Sequence, residues 1–220
     1  MIYLPFGRFM AKVDSSPKTG AKTRGHILRA ALRHFANAGY AATSVQQIVG
    51  DAKVSKPALY YHFRDKSELF KALVHEAHDE RFRLLREAAD RGQTIREQLE
   101  NILTTLFNYV GKNRELMRIS FATNFAAPGE VPENLCYADK CERNFEFVHS
   151  LIKAAQKSGE LNKTFDSREM AFGIYGLTNF YFVSHLVERN YRPDRNAAKR
   201  IVELFLTGAA ARKRSHKSKS

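Results

Sequence analysis

Residues 43–66, TSVQQIVGDAKVSKPALYYHFRDK, decide the fold. Thr43 or Ser44 caps a short helix in which Val45, Ile48, Val49 and Ala52 recur along one side of the 3.6-residue period. Lys53-Val54 makes the turn. Ser55 caps a second helix, Pro57 sits in its first turn where a missing N–H costs nothing, and Leu59 with Phe63 form its buried side. Lys56, Ala58, Tyr60, Tyr61 and His62 are left on the opposite side. Two short helices joined in this way make a helix-turn-helix. A face of one cation, small residues and two phenols suits the major groove of DNA, because small residues allow close approach and the polar tips reach bases and phosphates. An ordinary solvated face on a helical hairpin gives the same pattern, so the segment alone leaves both readings open.

Charge placement separates them. Residues 1–66 hold 11 Lys+Arg against 3 Asp+Glu, residues 207–220 hold 5 against none, and residues 67–206 hold 20 against 20. The formal net charge of +13 therefore resides at the two ends. A neutral body with a basic head is the footprint of a protein that meets backbone phosphate with one module. An anionic membrane surface would also attract such a head, but the helix-turn-helix has no wide apolar stripe to insert in lipid.

The order and spacing of a helix over 24–38 stopped by Gly39-Tyr40, then ATSVQQI, then VSKPALYYHFRDKSELF, closely resemble the DNA-binding domain of the TetR family of bacterial transcriptional regulators. The resemblance covers roughly residues 22–72; beyond it only a string of helices is similar. It implies an all-α fold, with a three-helix head over residues 21–66 and a helical bundle over 67–210 for ligand binding and dimerisation. By the same resemblance Gln46, Lys56, Pro57, Ala58 and Tyr60 face base edges, and Ser44, Tyr61, His62 and Lys66 hold phosphates. One departure stands out. The family usually has Gly where this chain has Lys53, and a left-handed conformation there costs a Cβ-bearing residue about 1 kcal/mol.

No apolar run approaches the roughly 18 residues that span a bilayer. Pro5, Gly7 and Arg8 interrupt MIYLPFGRFM before it could serve as a signal-peptide core, so the expected location is cytoplasmic. Residues 1–20 read as a flexible basic arm, with Met10 as an alternative start, and residues 211–220, ARKRSHKSKS, as a disordered tail.

The remaining segments are helical. A long helix over 66–91, opened by a Ser67-Glu68 turn, links head to body. Thr94 caps a helix whose stripe is Ile95, Leu99, Ile102, Leu103, Leu106, Phe107 and Val110. Residues 114–123 form a short helix, 126–132 a loop, and 133–158 another helix ended by Gly159. Cys136 and Cys141 then share that helix about 140° apart, too far around it to pair. The helix over 168–190 is apolar all round and needs cover on both sides, from its own core and from a second subunit. With the last helix, over 196–210, it forms the expected dimer pair, with Phe180, Val183, Val187, Ile201, Leu204 and Phe205 in the seam; an intersubunit four-helix bundle is also what the resemblance implies.

No G-x-S-x-G elbow, phosphate-cradling glycine loop or H-E-x-x-H motif occurs, which points away from an enzyme. His75-x-x-His78, His149 and His185 are the histidines to test for a metal, but spread histidines are more often surface or core residues, so no metal and no cofactor are expected. Aromatics and polar interruptions in the body read either as core or as an apolar ligand pocket. The resemblance implies a small-molecule site, for which Leu103, Phe107, Phe121, Phe125, Tyr137, Phe145, His149, Tyr175 and Asn179 are the candidates. The expected protein is thus a homodimeric regulator, a repressor released from a palindromic operator by a small apolar or aromatic ligand. A non-specific nucleoid-associated or anionic-surface binder is the alternative.

Overall fold

The computed structural model describes residues 18–133, 135–188 and 190–208. The expected tail at 211–220 and most of the arm lie outside them. Among the described residues the elements are helices: α1 (Lys18–Ala42), α2 (Val45–Ala52), α3 (Lys56–His62), α4 (Lys66–Ala89), α5 (Ile95–Lys112), α6 (Arg114–Ala122), a 3₁₀ turn (Thr123–Phe125), α7 (Ala138–Ser158), α8 (Ser167–Val187) and α9 (Arg195–Thr207). Residues 18–20 belong to α1 rather than to an arm. Gly39 interrupts α1 with φ 79° and ψ 171°, a conformation that only a residue without Cβ adopts freely, so the regular helix stops where Gly39-Tyr40 led us to expect.

The described residues fall into two compact units. Of these residues the first holds those up to Arg86 and Tyr109–Asn144, and the second Glu87–Asn108 and those from Phe145 on. The unit that carries the helix-turn-helix therefore does not end at residue 66. Its core joins Ile27, Phe35, Ile48, Leu59, Phe63, Leu69, Phe70 and Leu73 to Leu116 and Ile119 of α6, so α6 completes the head. Phe35, Tyr40 and Phe70 meet at ring separations of 5.0 to 6.0 Å, mostly edge-on, and tie the end of α1 to α4.

Two boundaries differ from the sequence reading. At the start of α4, Asp65 does the capping: its Oδ1 accepts the Glu68 N–H at 2.7 Å while Glu68 Oε2 accepts the Arg64 N–H at 2.6 Å. And α7 begins at Ala138, five residues later than expected. Cys136 lies ahead of it, exposed, so the two cysteines do not share a helix and the angular argument against their pairing falls. Cys141 is half-buried, its Sγ 3.8 Å from His78 Nδ1, and burial pushes its thiol pKa up.

In the second unit the α5 positions Ile95, Leu99, Ile102, Leu103, Leu106 and Phe107 are all buried. Phe107 packs on Phe182 and Tyr181 of α8. Asp166 and Asp194 cap α8 and α9. No helix among the described residues is long and apolar enough to cross a membrane.

Candidate nucleic-acid interface

Ser44, not Thr43, caps α2. Its hydroxyl accepts the Gln47 N–H at 3.2 Å, and Gln47 Oε1 accepts both the Ser44 N–H at 2.8 Å and the Ser44 hydroxyl proton at 2.9 Å. This is a capping box, written in the sequence as Ser44-x-x-Gln47. Thr43 is buried and donates to the Gly39 carbonyl at 2.7 Å, closing the corner between α1 and α2. Arg33 clamps the far end of α2 through Asp51, at 2.9 Å.

Lys53 ends α2 in the left-handed region, φ 54° and ψ 45°, and its N–H turns back to the Gly50 and Val49 carbonyls. The turn keeps the geometry for which glycine is suited, with the strain that a Cβ brings. Ser55 then caps α3 by accepting the Ala58 N–H at 3.2 Å, with Pro57 in the first turn. Leu59 and Phe63 are buried and fix the rotation of α3. Lys56, Pro57, Tyr60 and Tyr61 are consequently exposed together, Tyr61 at 84%, while Ala58 and His62 are half-buried. Gln46 is exposed on α2. Burial and the nearby Arg24 guanidinium hold the His62 pKa below its ordinary value, so His62 is neutral at pH 7 and presents a hydrogen-bonding group rather than a charge.

Two of the expected phosphate contacts are corrected. The Lys66 ammonium donates to the carbonyls of Tyr40 at 2.9 Å, Thr43 at 2.8 Å and Ala41 at 3.4 Å, and sits 4.4 Å from the centre of the Tyr40 ring. An ammonium has three protons, and these carbonyls take them. Lys66 closes the carbonyl end of α1, where a cation also opposes the helix dipole. Ser44 likewise has its hydroxyl proton on Gln47. Neither has a donor to spare for phosphate.

The expected ligand residues are distributed over both units. Phe145, His149 and Tyr175 come together in the second, where the Phe145 ring also meets Phe172 at 4.7 Å. Leu103 and Phe107 are buried there, and Asn179 is half-buried. The Arg168 guanidinium, which sequence reasoning missed, lies over the Phe145 ring at 5.0 Å and pairs with Glu146. Phe121, Phe125 and Tyr137 belong to the first unit. Phe125 is 90% exposed at the end of the 3₁₀ turn, a solvent position that corrects its place in the set. Tyr137 stacks on His78 and donates to Asn124 Oδ1 at 3.0 Å. His149 has both ring nitrogens engaged, by Glu146 and Ser167, and His185 Nδ1 is taken by the Tyr191 carbonyl. No group of three or more His, Cys, Asp or Glu among the described residues could hold a metal ion.

Of the expected seam, Phe180 (72%), Val187 (74%), Val183 and Leu204 are exposed, and Phe205 is half-buried. Ile201 is 1% exposed and inside its own unit's core, so it is corrected from interface to core. Phe172, a further exposed apolar side chain of α8, was not in the expected set.

An all-helical chain whose capped helix-turn-helix presents a basic and phenolic face belongs to the helix-turn-helix class. The profile of the bacterial regulatory proteins, tetR family, matches residues 27–73. The HTH-type transcriptional regulator AcrR of Shigella flexneri is 32% identical over 124 residues, 52% of this chain and 58% of its own length. The HTH-type transcriptional repressor KstR2 of Rhodococcus jostii is 26% identical over 204 residues, 90% of this chain and 95% of its own. The chain spans about half the length of several curated relatives, 52% and 49% in two further cases. FadR of Bacillus subtilis, solved in complex with stearoyl-CoA, superposes with a TM-score of 0.69 at 18% identity, covering 84% of this chain and 99% of that one. The tetR-family match thus covers the helix-turn-helix head, residues 27–73, and beyond it the likeness to FadR is one of fold.

Proposed function

We propose that the protein is a sequence-specific, DNA-binding transcriptional regulator that acts as a homodimer, represses, and leaves a palindromic operator when a small apolar or aromatic ligand binds. The exposed face of α3, with Lys56, Pro57, Tyr60 and Tyr61 held by the buried Leu59 and Phe63, carries this reading. Lys56, Pro57, Ala58 and Tyr60, with Gln46, meet base edges; Tyr61 and His62 hold phosphates. The net +8 of residues 1–66 supplies the salt-dependent part of the affinity. The exposed apolar face of α8 and α9 supports the dimer, and the expected location is cytoplasmic. The stearoyl-CoA held by a protein of the same fold, and the aromatic group around Phe145, support an apolar effector bound in the second unit. α4 is one continuous helix from Lys66 to Ala89, and it carries the ligand's effect toward the head.

Selection of bound sequences from a random duplex pool tests the proposal. A palindrome with half-sites about one helical turn apart is the expected product. A pool that remains random after selection would instead indicate a non-specific nucleic-acid or anionic-surface binder.

A further inference from the structure

A cavity of about 340 Å³ opens inside the first unit, between the end of α1, α6 and the loop that follows it. Phe35, Tyr40 and Phe70 provide aromatic wall, Ile119 and Val131 aliphatic wall, and alanines at 38, 41, 42, 122 and 126 leave the room. That volume lies at the lower end of the range for small-molecule sites, and the lining has their usual apolar character.

Among the lining residues Glu130 is the charged one. It is held in place by the turn Ala127-Pro128-Gly129-Glu130. Proline sets the first corner, Gly129 takes φ 86° at the second, and the Glu130 N–H closes the turn on the Ala127 carbonyl at 3.0 Å. The Ala127 N–H in return donates to Glu130 Oε2 at 2.9 Å. An ionised carboxylate keeps further acceptor positions after that bond. The Thr123 hydroxyl proton is already on the Ser120 carbonyl, and the Lys66 ammonium over the Tyr40 ring is committed to carbonyls. The wall thus has an anchored acceptor for a cation and no free cation for an anion.

We propose that this cavity is a binding site for a small hydrophobic amine, its ammonium on Glu130 and its apolar body against Phe35, Tyr40 and Phe70. The occupant touches Gly39–Ala42, the segment whose carbonyls Lys66 holds and which leads directly into the Ser44 cap of α2. From there it alters the posture of the helix-turn-helix and hence DNA affinity, a consequence that rests on the DNA-binding function proposed above.

Calorimetric titration of the full chain with 4-phenylbutylamine, 4-phenylbutanol and 4-phenylbutyrate tests the site. The amine should bind about fivefold tighter than the alcohol, as an exposed ion pair beside aromatic rings allows, and the carboxylate weakest. Glu130→Gln, which keeps the acceptor for Ala127, should erase the preference for amine and leave alcohol binding intact. Ala126→Phe should abolish binding of all three, with thermal melting to verify the fold. Equal affinities for the three probes, or an amine preference that survives Glu130→Gln, would overturn the ligand class; binding unchanged by a folded Ala126→Phe would overturn the location. Saturating amine should also shift affinity for a selected duplex by at least about fivefold. An unshifted affinity overturns regulation from this site. A chain that binds no duplex would remove the regulatory consequence together with the proposed function, and the calorimetry would still decide the site.

Discussion

The outer faces of α3 and α8 both present aromatic rings to solvent, yet they do so with different chemistry. On α3, Tyr60 and Tyr61 end in hydroxyls and stand with Lys56. On α8, Phe172, Phe180, Val183 and Val187 have no polar tip, and Leu204 on α9 adds to them. A phenol beside a cation can trade its hydration for phosphate and base edges, whereas a bare phenyl gains only by leaving water. Exposure of a large side chain is therefore ambiguous until its tip is considered. The first face suits a polyanion, and the second suits another apolar face, for which a second copy of the same chain is the simplest source.

The largest effect should come from charging the apolar face. Phe180→Glu is expected to yield monomers by sedimentation and to weaken operator binding by about 10²- to 10⁴-fold, because the two half-sites are no longer engaged together. Ile201→Val sharpens the contrast. Being buried in its own unit, it should cost about 0.5–1.5 kcal/mol of stability and leave association unchanged. Dimers that survive Phe180→Glu would place the interface elsewhere.

Acid should distinguish the two units next. Burial, with Arg81 nearby, lowers the His78 pKa to about 4, against the ordinary 6.5. The folded state thus favours neutral His78, and its contribution is fully present above pH 6.5. It is lost as pH falls toward 4, because the unfolded chain takes the proton first. Chemical denaturation at pH 7 and pH 4.5 should show a loss of about 2–3 kcal/mol that His78→Gln removes. An unchanged pH profile in His78→Gln would assign the acid sensitivity to other groups.

Within the head, Lys56→Ala and Lys66→Ala should part company. Lys56→Ala is expected to cost about 1–3 kcal/mol of binding and to relax sequence preference, measured by competition with variant duplexes. Lys66→Ala should lower the melting stability of the head by about 1–2 kcal/mol, through loss of its bonds to the Tyr40 and Thr43 carbonyls, and leave the slope of binding against salt as it was. A slope reduced by about one unit would return Lys66 to the phosphate contacts. The smallest effect is at the turn: Lys53→Gly should relieve the left-handed strain and stabilise by at most about 1 kcal/mol, part of it offset by the freer unfolded chain. Destabilisation on that change would mean the Lys53 side chain makes contacts of its own.

Much of the head was legible because its signals are local. A serine three residues before Gln47, a serine and proline before an apolar pair at Leu59 and Phe63, and a glycine at position 39 each act within one turn of chain. The aspartate cap of α4 was equally local, in Asp65-x-x-Glu68, and was passed over for the serine beside it. The exposed rings of α8 were legible as a consequence of a helix with no polar side, although which residues face out was not; Phe172 and Ile201 exchanged places with expectation. The pocket residues fared differently. Aromatic content does not say which rings meet, and Phe125 and Phe145 look alike in sequence while one stands in solvent and the other packs against Phe172.

The sequence by itself determined the helix-turn-helix, the order of helices, the concentration of positive charge at the ends and the left-handed question at Lys53, since caps, breakers, periodicity and net charge depend on neighbours within a few residues. Only the tertiary structure decided that Lys66 closes α1 across 23 to 26 residues of chain, that α6 completes the core of the head, and that Glu130 lines a cavity walled by α1. Those outcomes depend on where a donor finds carbonyls and an apolar ring finds company. Such partners are distant in sequence, and packing alone brings them within a few ångströms.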